Sequence, residues 1–199
     1  MPEIRLAIAG VGNCASAFIQ GLYYYKSNDD ISGLIYPDMG GYKPGDIKVV
    51  AAFDVNEKKV GKDLSEAIYA EPNCTIKFYD VPYMNVPVMM GPVLDGVPEH
   101  LKKFVSVSNK PSVDVVKVLK DTSADVIINI IPTGSALATR AYADAAIKEA
   151  RVAFIYKADE SETIESVVFN GWIETIDNKT GKNITCCILS LQTTRERFL

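Results

Sequence analysis

The first apolar run of the chain, IRLAIA at 4–9, stops at Gly10. It lacks the polar alternation of a half-wetted strand, so it predicts a strand buried on both faces. Over 13–26 the spacing becomes helical, with Ala15, Phe18, Ile19, Leu22 and Tyr23 on one face. Residues 27–46 are rich in Gly, Pro and Asp and predict a long loop. IKVVAAFD at 47–54 reads as a second buried strand that ends on an acid. EKKVGKDLSEAIYA (57–70) then predicts a helix, and NCTIKFYD (73–80) a short strand.

Residues 81–98 hold four prolines and two glycines and predict an irregular insertion. SVDVVKVLKDTS (112–123) reads as a helix with a serine cap and with Val115, Val118 and Leu119 on one face. ADVIINIIP (124–132) is the clearest buried strand. GSALATRAYADAAIKEA (134–150) is a helix with Ala138, Ala141, Tyr142 and Ala145 in register, and VAFI (152–155) is a last strand. Strands alternating with helices predict an α/β fold, a doubly wound parallel sheet of the Rossmann kind, over residues 1–155. From Tyr156 the character changes. ADESETIESVV is acidic, and two short strand-like runs flank DNKTGKN, so 156–199 reads as a short β-rich tail, a hairpin.

Composition narrows the function classes. The 199 residues carry a net charge of −4, which offers no field for nucleic acid or for an acidic membrane surface. No apolar run reaches the roughly 18–20 residues of a membrane span, and no signal peptide is visible. The four cysteines, Cys14, Cys74, Cys186 and Cys187, form no C-x-x-C pair. The expectation is a reduced, cytoplasmic chain with no metal site. With His100 as the single histidine, neither a zinc centre nor a Ser-His-Asp arrangement is expected.

The turn after the first strand carries the candidate chemistry. Gly10-x-Gly12-x-x-Ala15 follows a strand and opens a helix, the setting that a dinucleotide fingerprint requires. Gly10 allows the sharp turn, Gly12 lets a pyrophosphate approach the backbone, and Ala15 keeps the helix close to the sheet. Asp54, ending the second strand, is placed to accept from ribose hydroxyls, which favours NAD over NADP. It lies 44 residues after Gly10, against a usual spacing of about 20, and the 27–46 loop accounts for most of the excess. A second wall is expected where the 124–132 strand ends, at Pro132, Thr133, Gly134 and Ser135. An ordinary strand-to-helix loop with a serine cap is the competing reading there.

GVGNCASAFIQGLYYYK, VVAAFDVNEKKVGKDLSEAI, GPVLDGV and PTGSALATRAYADAAIKEA together resemble the prokaryotic form of inositol-3-phosphate synthase (myo-inositol-1-phosphate synthase). The likeness covers residues 1–155. It implies an NAD-dependent isomerase of inositol and phospholipid biosynthesis that converts glucose 6-phosphate to inositol 3-phosphate, removing hydride from C5 and returning it after ring closure. By resemblance Gly10, Gly12, Asn13, Cys14 and Ala15 would hold the pyrophosphate, Asp54 the ribose, and Pro132, Thr133, Gly134 and Ser135 the nicotinamide side. Where the family carries a glutamate after that serine, this chain has Ala136.

Family members are about twice as long, and the resemblance stops before the segment that carries their catalytic lysines and tetramer sheet. The chain therefore reads as truncated, with no catalytic residue assigned to Lys157, Lys179 or Lys182 and with a homo-oligomer left open. Two alternatives stand beside the synthase reading: a non-catalytic NAD-binding module, and another NAD-dependent oxidoreductase.

Overall fold

The computed structural model describes residues 3–28, 31–150 and 152–156, together with the strands Ile173–Ile176 and Asn183–Cys186. Strand β1 (Ile4–Ala9) leads through the glycine turn into helix α1 (Asn13–Ser27), and β2 is Ile47–Asp54. A four-residue helix α2 (Leu64–Ala67), β3 (Val88–Met90), α3 (Val115–Asp121) and β4 (Val126–Asn129) follow. Helix α4 (Ala136–Asp144) continues into a wider-wound turn over Ala145–Ala150, and β5 is Ala153–Tyr156.

The five strands form one parallel sheet in the order β3-β2-β1-β4-β5. This is the doubly wound arrangement, with its order reversing between β1 and β4. Two cores follow from the strand alternation. Leu6, Ile8, Val49 and Ala52 face α1 and α2, against Ala15, Ile19, Leu22, Leu64 and Ile68. Ala7, Ala9, Ala51, Phe53 and Ile127 face α3 and α4, against Val115, Leu119, Tyr142 and Ala143. The alanines of β1 and β2 leave room for helices to approach closely. Truncating Ile19, fully buried in α1, to alanine costs about 2–5 kcal/mol.

Three local expectations are corrected. The 57–70 helix is only α2, because the backbone of Gly61 and Lys62 pairs with Val88 instead: Gly61 N–H donates to Val88 O, and Val88 N–H to Lys62 O, both at 2.8 Å. Gly61 lies at φ +94°, a left-handed conformation that breaks a helix, and the Asp63 carboxylate restarts it by accepting from Ser65 N. The third strand is not 73–80 but β3, inside the proline-rich insertion. Residues 73–80 are instead tied to α1 by side chains. Asn13 Oδ1 accepts from Cys74 N (2.8 Å) and Thr75 N (3.1 Å), and the buried Gln20 Oε1 accepts from Phe78 N (2.8 Å) and Tyr79 N (3.2 Å). Finally, α3 is capped by Asp114, which accepts from Lys117 N at 3.0 Å, and not by Ser112.

The expected two-stranded run after residue 156 is present as β6 (Ile173–Ile176) and β7 (Asn183–Cys186), antiparallel with Ile173 opposite Cys186. Trp172, Lys157, Lys179, Lys182 and the turn at 177–182 lie outside the described residues. Among the described residues no helix is long and apolar enough to cross a membrane, and no group of three His, Cys, Asp or Glu side chains is placed to hold a metal ion.

Candidate functional site

A cavity of about 620 Å³ opens at the carboxyl ends of β1, β2 and β4, where the strand order reverses and ligands bind in such sheets. All the sequence-predicted site residues except Ala15 line it: Gly10, Gly12, Asn13, Cys14, Asp54, Pro132, Thr133, Gly134 and Ser135. Ala15 is fully buried between α1 and the sheet, the packing role that its small side chain permits. Cys14 is an exposed free thiol in the first turn of α1.

The two glycines of the turn differ. Gly10 has φ +91°, and a Cβ there would lie 2.9 Å from Ile130 C and O and from Ile131 N. Close packing of the turn against the end of β4 therefore demands glycine. Gly12, at φ −88°, caps α1 with no side-chain hydrogen bond, and nothing lies within 4 Å of where its Cβ would be. The first-turn amides of α1 have no intrahelical partners and stand beside that open space.

Val11, between the glycines, is held from both sides. Its N–H donates to Asp54 Oδ2 at 2.7 Å, and its carbonyl accepts from Lys59 Nζ at 2.7 Å and from Asn73 Nδ2 at 3.0 Å. Lys59 is 4% exposed and also donates to Asn73 Oδ1 at 2.8 Å. Burial pulls its ammonium below the ordinary lysine range, and the Asp54 charge partly offsets this. Asp54 Oδ1 accepts from Val55 N (2.7 Å) and Asn56 N (2.8 Å). A carboxylate has about four acceptor positions, so Oδ2 keeps one for a further donor.

The far wall is built by β4 and α4. Ser135 precedes α4 but makes no capping bond. Asp95 caps the helix from the GPVLDGV segment instead, accepting from Leu137 N and Ala138 N, each at 2.8 Å. Tyr142 lies in the same wall, 2% exposed, with its ring 5.7 Å from that of Phe53. Burial, and secondarily the Asp54 charge, push its hydroxyl far above the ordinary tyrosine range, so it stays a neutral donor. A Cβ at Gly91 would overlap that hydroxyl, at 2.0 Å. Two buried side-chain atoms of this wall, Asn129 Oδ1 and Ser135 Oγ, have no hydrogen-bond partner.

These features fit a dinucleotide. The open face above Gly12 suits a diphosphate, Asp54 Oδ2 suits a hydroxyl, and the orphaned oxygens suit a polar head. Sequence reasoning missed Lys59, Asn73, Asp95, Asn129 and Thr139. Only Asn129 left a clear signal, as a polar residue in an otherwise apolar strand.

By fold and site the chain is a Rossmann-type α/β protein with a ligand cavity at its topological switch point. No protein-family model matches it, but relatives and solved structures do. It is 49% identical over 156 residues to inositol-3-phosphate synthase of Mycolicibacterium smegmatis, covering 77% of this chain and 43% of that protein. It is 48% identical to those of Corynebacterium glutamicum and Mycobacterium tuberculosis, covering 76–77% of this chain and 42% of each. The crystal structure of Ari2 superposes with a TM-score of 0.65 at 32% identity, over 83% of this chain and 48% of that one. A myo-inositol-1-phosphate synthase-related protein from Thermotoga maritima shares the fold, with a TM-score of 0.58 at 22% identity over 78% of this chain and 47% of that one. Over the matched segment the chain is a homologue of inositol-3-phosphate synthase. It spans about two fifths of the length of the curated relatives it matches.

Proposed function

We propose that residues 1–155 bind NAD and serve the isomerisation of glucose 6-phosphate to inositol 3-phosphate, in the cytoplasm and on the route to inositol phospholipids. The observation that carries this reading is the 48–49% identity to proteins of that name, falling on the segment whose glycine turn and Asp54 line one cavity. Bound NAD would supply a hydride acceptor that becomes the donor when the hydride returns.

The chain's own residues do the holding. The first-turn amides of α1, with Gly12, Asn13 and Cys14, carry the pyrophosphate, where backbone N–H groups and the helix dipole favour an anion. Asp54 Oδ2 accepts one ribose hydroxyl. Thr133, Gly134 and Ser135, with Pro132 before them, line the nicotinamide side. Lys59 and Asn73 keep the Val11 carbonyl turned away from an approaching anion. Tyr142 and Phe53 close the deep end against water.

The share of the relatives' length that the chain spans favours one second reading, a dinucleotide-binding module without turnover. Glucose 6-phosphate supplied with catalytic NAD separates the readings. Inositol phosphate formed without net NADH supports the isomerase. Tight NAD binding without product supports the module, and NADH accumulating with a sugar or acid substrate supports a different oxidoreductase. Failure of NAD and NADH to raise the melting temperature would overturn all three.

A further inference from the structure

Strand β4 ends on a polar residue at a core register. By strand alternation Asn129 shares the face of Ile127, the face covered by α3 and α4. It is 5% exposed, and its Nδ2 donates to Thr139 Oγ1 on α4 at 3.0 Å. Its Oδ1 has no partner, and neither does the hydroxyl of Ser135, which is 2% exposed. Reversing the amide does not remove the deficit. Thr139 offers a single side-chain oxygen, so one end of Asn129 stays unpaired in either orientation. Two unpaired polar atoms in one buried wall oppose folding, and an apolar pair there would pack without that cost. Both residues line the cavity, so a ligand group is the natural partner.

We propose that Asn129 and Ser135, with Thr139 fixing the asparagine, form a subsite for a carboxamide, that of the nicotinamide ring. This rests on the dinucleotide reading above and adds to it the residues that select the head group. A carboxamide brings two N–H donors and one carbonyl acceptor. Asn129 Oδ1 accepts one N–H, and the Ser135 hydroxyl, donor and acceptor at once, pairs with the remaining N–H or with the carbonyl. A methyl ketone of the same shape keeps the carbonyl but brings no proton, and leaves Asn129 Oδ1 as it was. A site built to pair with an N–H discriminates against an analogue that lacks it.

The test is a calorimetric titration of the full chain with three probes: ADP-ribose, NAD, and 3-acetylpyridine adenine dinucleotide, which carries the ketone. The unmodified chain is expected to bind NAD at least about ten-fold tighter than the ketone analogue. Asn129→Leu brings the two within about two-fold while leaving the affinity for ADP-ribose unchanged, since that molecule lacks the ring. Ser135→Ala shifts the ratio the same way and carries the test if Asn129→Leu does not fold. Equal binding of NAD and the ketone by the unmodified chain overturns the subsite, as does a preference that survives both substitutions. If ADP-ribose itself fails to bind, the dinucleotide reading falls and takes the subsite with it. ADP-ribose binding without discrimination removes the subsite alone.

Discussion

Asp54 Oδ2 accepts the backbone N–H of Val11 at 2.7 Å, joining the end of the second strand to the peptide between the two turn glycines. The acid expected to meet a ribose is thus also a brace for the turn. Asp54→Asn keeps an acceptor for one of these amides but places an NH2 group against another. We expect a loss of about 1–3 kcal/mol in urea unfolding, with weaker binding of NAD. Weakened binding at unchanged stability would instead assign Asp54 to the ligand alone.

The two glycines should separate cleanly. Gly10→Ala meets both a positive φ and the Ile130 backbone, so it should cost about 2 kcal/mol or more of stability. Gly12→Ala has an ordinary φ and open space around it. Its stability should stay within about 0.5 kcal/mol, while NAD affinity falls at least about ten-fold because the methyl group occupies the approach to the amides.

Lys59 predicts a pH signature. Burial lowers its folded-state pKa below the value of a free lysine, 10.5, so between the two values the unfolded chain binds more protons. Stability from this group therefore rises with pH across that window. Lys59→Met should remove that rise in a comparison of urea midpoints at increasing alkaline pH. At neutral pH it should cost about 1–3 kcal/mol by leaving the Val11 carbonyl and Asn73 Oδ1 short of a donor.

Asp63 should govern acid stability. Burial raises its carboxyl pKa, but hydrogen bonds from Ser65, Met84 and Val86 outweigh that and hold it below the ordinary 3.8. A depressed acid gives stability that is full above the unfolded value and is lost as pH falls through the folded one. Asp63→Ala should cost about 2–3 kcal/mol near neutrality and flatten the loss of stability below pH about 4. Circular dichroism during an acid titration reads this directly.

Asp95 predicts a capping effect across a long sequence separation. Asp95→Ala should cost about 1–2 kcal/mol, with Asp95→Asn recovering much of it, as for caps within a helix. Thermal melting of the three proteins decides this. Equal loss in both variants would point to charge and not to the hydrogen bonds with Leu137 and Ala138.

How far the sequence could be read depended on what each segment buries. Strands β1 and β2 were legible to the residue, because a strand covered on both faces must be an apolar run between breakers. Strand β3 was not, since Val88–Met90 is three residues between Pro87 and Gly91-Pro92, and its pairing with Gly61 and Lys62 is a tertiary choice. That choice also erased most of the 57–70 helix. The glycine turn showed because its geometry restricts residue type at Gly10. Lys59 did not, because a lysine in EKKVGK normally faces water, and nothing local reveals that Val11 and Asn73 draw it inward. Asn129 could have been suspected from its place in VIIN, where alternation asks for an apolar side chain.

The carboxylate at the start of α4 has a consequence for direction. Its negative charge already answers the positive end of that helix, whereas the corresponding end of α1 has no acid in its first turn. The cavity is therefore polarised, electropositive under the glycine turn and quenched at the opposite wall. A molecule with charge at its centre and an uncharged ring at one extremity has a single favourable way to lie in it.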